Sequence, residues 1–122
     1  MPVIKTVYRK KKEYHLAHAA LVLAAHSRSF LTYTGIAQLT GLPDTGNRLQ
    51  QTVGQLLGEI GEDEYDAKRP ILSALVVDKR TGLPSFGFDT LTDKLQLTDN
   101  FSKAGKLRFL RKHQTELFKF YA

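Results

Sequence analysis

Apolar positions along this chain recur at helical spacing in four stretches and alternate in one. Leu16, Ala17, Ala20, Leu21, Leu23 and Ala24 cover more than half of a helical cylinder, which predicts a central core helix from Lys11 to His26. Ile36 and Leu39 lie one turn apart on a short helix with Thr34 as its cap, and Gly41 and Pro43 stop it. Leu49, Val53, Leu56, Leu57 and Ile60 make one stripe on a further helix starting near Asp44, with Asp44 or Thr45 as cap. Arg69 to Asp78 reads as a strand, Lys79-Arg80-Thr81-Gly82 as a tight turn and Leu83 to Phe88 as the return strand. Both alternating sets of the first strand, Leu72/Ala74/Val76 and Ser73/Leu75/Val77, are largely apolar. It is therefore expected to be covered on two sides, by the C-terminal helix or by a second subunit. Thr90 to Asn100 holds one short helix or turn. The last helix, 102–121, sets Leu107, Leu110, Leu117, Phe118 and Tyr121 on one face, with Gln114 interrupting. Phe109 and Phe120 fall off that stripe, as a dimer contact or as packing on the hairpin. The whole, 1–122, reads as a single domain of the α+β class, mainly helical.

Charge changes this picture more than composition does. The 42% apolar content is ordinary, and the absence of Cys removes disulfides, thiolate chemistry and Cys-based zinc sites. No apolar run approaches the length of a membrane helix, so the expectation is a soluble, cytoplasmic protein without membrane contact. The formal net charge is +6 and the pI about 9.7, a footprint of nucleic-acid binding. Residues 1–12 form a basic arm containing Lys5, Arg9, Lys10, Lys11 and Lys12, and Val3 to Tyr8 is either a short strand or a segment ordered only on DNA. Lys103, Lys106, Arg108, Arg111, Lys112 and Lys119 make the last helix positive. Between these ends, Gly58 to Asp66 is expected to end its helix and form an acidic loop, solvated or facing a basic partner.

Candidate chemistry is sparse. His15, His18 and His26 share one stripe of the first helix; a His15/His18 metal pair is geometrically possible there but lacks a third ligand nearby, and a polar stripe bordering the core accounts for them. No phosphate-binding glycine loop, nucleophile elbow or metal signature is present, so neither an enzyme nor a cofactor is expected.

Ala37, then Gly41 and an apolar residue, resemble the small-residue and turn-glycine signature of helix-turn-helix proteins. The apolar residues of the following helix come about two positions late, as in the longer turn of winged-helix domains. Two helices followed by a hairpin with a basic tip resemble a winged helix-turn-helix with an added C-terminal helix. The resemblance implies double-stranded DNA as partner, in a small transcriptional regulator or a phage or mobile-element accessory factor. Asn47, Arg48 and Gln51 would face base edges, while Lys79, Arg80, Arg9, Lys10, Lys11 and Lys12 would hold phosphates.

Tyr33-Thr34-Gly35-Ile36-Ala37, Gly41-x-Pro43, Val53-Gly54, Pro70, Val76-Val77 and Gly87-Phe88 are also similar to the DNA-binding domain of alkylguanine-DNA alkyltransferases. That family carries a reactive Cys in a Pro-Cys-His-Arg run. Here the run is Pro70-Ile71-Leu72-Ser73-Ala74, so this similarity implies a DNA binder without alkyl transfer. The reading from another class is a protein-interaction module, a winged helix reused without DNA affinity.

Overall fold

The computed structural model describes residues 3–43, 46–84, 86–98 and 100–122. Helix α1 spans Lys12–His26, strand β1 Leu31–Thr32, α2 Tyr33–Thr40 and α3 Gly46–Asp66. A 3-10 turn, Leu72–Leu75, leads into strand β2, Val76–Val77, and then come α4, Phe86–Lys94, and α5, Lys103–Phe120. The fold is mostly helical, with one two-stranded parallel sheet that pairs Leu31 with Val76 and Thr32 with Val77.

Helix α1 begins one residue later than its pattern suggests and buries Ala17, Leu21, Ala24 and Ala25. Small residues at three of those four positions let the 3-10 turn and α2 pack close against it. Thr32, rather than Thr34, caps α2: its Oγ1 accepts the Gly35 N–H at 3.0 Å. Gly41 ends α2 with a φ of +81°, a left-handed conformation that costs glycine little, and its N–H returns to the Ala37 carbonyl. The caps expected at Asp44 and Thr45 lie outside the described residues.

Three expectations fail against this fold. First, α3 does not end near Gly58 but continues to Asp66, and its acidic segment is a helix flank, not a loop. The glycines that read as breakers are close-approach points. A Cβ on Gly61 would collide with Leu91 Cδ2 of α4, and one on Gly58 would touch Ile4. Second, Arg69 to Asp78 is not a long strand. All of 71–77 is buried, as its two-sided apolar pattern requires, yet most of it curls into the 3-10 turn. Helix α5 supplies the polar partners a neighbouring strand would have given: Gln114 Nε2 donates to the Ala74 carbonyl at 2.9 Å, and Ile71 N–H donates to His113 Nε2 at 2.5 Å. Third, Leu83 to Phe88 is no return strand, because α4 begins at Phe86. The basic turn closes on itself instead, through Asp78 N–H to the Leu83 carbonyl at 2.8 Å. Without that second strand the wing hairpin is missing among the described residues.

On α5, Leu110 and Leu117 are buried and Gln114 joins them as the donor to Ala74, whereas Leu107 is exposed. Ser102 caps this helix by accepting the Gly105 N–H.

Candidate nucleic-acid interface

Helix α3 divides into two chemically different halves. Its first turns carry Asn47, Arg48 and Gln51, all exposed, and that stretch contains no carboxylate. Asn47 and Gln51 stand one turn apart, and Arg48 and Gln51 share a face at a spacing of three. Leu49 and Val53 on the inner side fix the helix against the core. Gln55 marks the transition, since its Nε2 donates to the Lys5 carbonyl at 2.6 Å and to Glu59 at 3.1 Å. The outward polar face is thus shorter than its sequence suggests.

The second half carries Glu59, Glu62 and Glu64, all buried. Glu59 Oε1 accepts the consecutive backbone N–H groups of Val7, Tyr8 and Arg9 at 2.8 to 3.0 Å. Glu62 accepts those of Val3 and Ile4. The N-terminal segment therefore lies along α3, its donors satisfied by side-chain carboxylates. It is neither a strand on a hairpin nor an arm awaiting DNA. Glu64 receives Arg69 Nε at 2.5 Å and His18 Nε2 at 2.7 Å. Burial pushes its pKa up, but the hydrogen bonds and charges of His18 and Arg69 outweigh that and hold it below the ordinary value. Tyr14 donates to Asp63 at 2.6 Å; burial first, and then that carboxylate, raise its hydroxyl pKa, so it remains a donor.

Arg9 is turned inward. Its Nε donates to Asp63, its Nη1 to the Ile4 carbonyl and Thr6 Oγ1, and its Nη2 to Glu62 at 2.6 Å. A guanidinium with each nitrogen so engaged has little left for a phosphate. This corrects the expectation for Arg9, whose carboxylate partners sit more than fifty residues away and only meet it because α3 is continuous.

Lys10, Lys11 and Lys12 are exposed at the start of α1, with Lys11 Nζ 5.7 Å from the centre of the Tyr8 ring. Lys79 and Arg80 are exposed on the turn, where Asp78 Oδ1 accepts the Arg80 backbone N–H at 2.8 Å. That turn follows β2 at the cap of α2, whereas α3 begins beyond the other end of α2, an eight-residue helix about 12 Å long. Lys10 to Lys12 flank the Glu59 region, eleven residues or about 16 Å along α3 from Arg48. The expected DNA-facing residues form three exposed groups at separate places, not one cluster.

The anchoring role of the glutamates was the signal sequence reasoning missed. Glu59, Glu62 and Asp63 at i, i+3 and i+4 continue the helical stripe through both glycines. Of the three stripe histidines, His18 serves Glu64 and His26 Nδ1 lies 2.9 Å from the Tyr121 carbonyl. Among the described residues no group of His, Asp or Glu is arranged to hold a metal ion, and no helix is long and apolar enough to cross a membrane. No protein-family model, no curated protein and no solved structure matches this chain.

Proposed function

We propose that this protein is a sequence-selective binder of double-stranded DNA that inserts the first turns of α3 into the major groove in the manner of a helix-turn-helix. The observation that carries this reading is the exposed, carboxylate-free start of α3, where Asn47, Arg48 and Gln51 share a helical surface. Arg is suited to guanine O6/N7, and Asn or Gln to adenine N6/N7. Charge supports it further. Three of the chain's carboxylates, Glu59, Glu62 and Glu64, are buried on the helix that carries this face, so the exposed side chains are more positive in sum than the formal +6. Lys10 to Lys12, and Lys79 and Arg80, are exposed cations at separate places that would add phosphate contacts outside the base-reading face. The role is that of a small transcriptional regulator or a mobile-element accessory factor.

A second reading, a protein-interaction module, draws on the outer face of α1. Leu16 and Leu23 stand two turns apart there, 41% and 64% exposed. A homodimer is one form of it, with Phe120 of α5 also exposed.

Fluorescence anisotropy of a generic duplex across a salt series tests the two. Micromolar affinity that falls steeply with salt supports DNA binding. No binding at low salt overturns it and leaves the interaction module.

A further inference from the structure

A second surface is built from α5 and the corner that precedes it. Phe101, Ser102, Gly105, Arg108, Phe109 and Lys112 line an open groove of about 460 Å³. The corner ring of Phe101 is 46% exposed and meets Phe109 edge-on, with centroids 6.3 Å apart. Phe109 in turn stacks on His113 at 5.5 Å and 24°, which fixes the platform against the protein interior. Gly105 keeps the floor low: Phe101 and the Ser102 hydroxyl already lie 3.4 Å from where its Cβ would stand. Arg108 and Lys112, one turn apart and exposed, border the aromatics with no ion-pair partner among the described residues. By contrast Lys106, on the other side of the helix, is bound to Asp93 at 2.8 Å.

We infer that this groove binds single-stranded nucleic acid. Cations at a spacing of one helical turn suit successive phosphates, and an exposed ring held by its neighbours suits the face of an unpaired base. A duplex keeps its base faces stacked and offers nothing to Phe101. An acidic peptide would satisfy Arg108 and Lys112 but would leave the ring without a role. The ligand is therefore distinct from the duplex proposed for α3, and the two surfaces are separable.

The test uses the full chain with a labelled oligothymidylate and, separately, a labelled duplex, read by anisotropy. Phe101→Ala should weaken the single strand roughly tenfold, the loss of one stacked base, and leave the duplex unchanged, while Phe101→Tyr keeps the affinity. The exposed pair Arg108→Glu/Lys112→Glu should abolish single-strand binding without touching the fold, which circular dichroism verifies. Single-strand binding that ignores the ring, or competition by polyglutamate as effective as by oligothymidylate, overturns the inference. Weaker binding of a preferred duplex by Arg48→Ala, with the single strand unaffected, separates this site from α3.

Discussion

Arg9 Nη2 and Glu62 Oε1 meet at 2.6 Å, with side chains 14% and 2% exposed, and they join the start of the chain to the last turns of α3. A pair this sheltered gains little over apolar packing, but removing one partner strands the other in a medium that cannot solvate it. Arg9→Ala should therefore lower stability by about 3 kcal/mol, seen in thermal or urea unfolding. The salt slope of DNA binding should not change, because this guanidinium is spent inside. A variant of wild-type stability with a reduced slope would return Arg9 to the phosphate-binding set.

Glu59 gives a sharper version of the same dependence. Three backbone N–H groups converge on one oxygen, so Glu59→Ala leaves all three without an acceptor. The expected cost is about 3 kcal/mol, or roughly 10 °C in Tm for a chain of this size. Glu59→Gln keeps an oxygen acceptor and should lose about half as much, since charge strengthens each bond. Protease cleavage within residues 3–11 should increase in the Ala variant first, because only that segment loses its anchors. Equal stability of the Ala and Gln variants would contradict this account.

The glutamates also explain what the sequence could and could not disclose. Periodicity located α1, α2, the start of α3 and α5, because each buries a stripe of apolar side chains against the core. It misplaced the end of α3 because Gly58 and Gly61 have low helix propensity, and tertiary packing decided there. The buried 71–77 segment was legible as buried but not as a 3-10 turn, since the choice depends on Gln114 and His113, some forty residues away. Of the candidate site, the exposure of Asn47, Arg48 and Gln51 followed from the amphipathic pattern. The inward turn of Arg9 did not, because nothing local distinguishes it from Lys10.

Two glycines of α3 should respond in opposite directions to alanine. At Gly54 a Cβ would meet nothing within 4 Å, so Gly54→Ala should add about 0.5 to 1 kcal/mol of stability through helix propensity. At Gly61 the same methyl would collide with Leu91 Cδ2 and lie 3.1 Å from Ile71 Cγ2, both on buried residues. Gly61→Ala should cost about 1 to 3 kcal/mol as α4 is pushed off. Urea unfolding of both variants in parallel checks the pair, and stabilisation by Gly61→Ala would mean that α4 is not seated on α3.

Acid should destabilise the fold in two stages. His113 accepts the Ile71 N–H at Nε2 and must be neutral to do so; burial depresses its pKa below 6.5, with Glu116 opposing. The unfolded chain takes up a proton near pH 6.5 that the folded chain refuses, so stability is complete above that pH and declines as the pH falls through it. Glu64, held below 4.5 by His18 and Arg69 against its burial, adds a loss only below that value, when its carboxylate must protonate. The urea midpoint should fall from about pH 7 to about pH 5.5, and His113→Gln should flatten that first decline. A midpoint constant over this range would exclude His113 as a buried neutral acceptor.

Arg48 and the Lys10 to Lys12 run should separate selectivity from affinity. Arg48 is exposed in the first turns of α3, and Arg48→Ala should cost about 1 to 3 kcal/mol on a preferred site and much less on unrelated duplexes. Lys10, Lys11 and Lys12 reach solvent from the start of α1, and changing them together to Gln should weaken all duplexes alike. The slope of log affinity against log salt should shrink by about 0.9 for each phosphate that is no longer neutralised. Both variants leave the buried core intact and should unfold as the parent does. Anisotropy on a selected and a scrambled duplex over a salt series measures both effects at once. An Arg48→Ala variant that binds both duplexes equally less tightly would make α3 a phosphate-holding helix, and base reading would have to lie elsewhere.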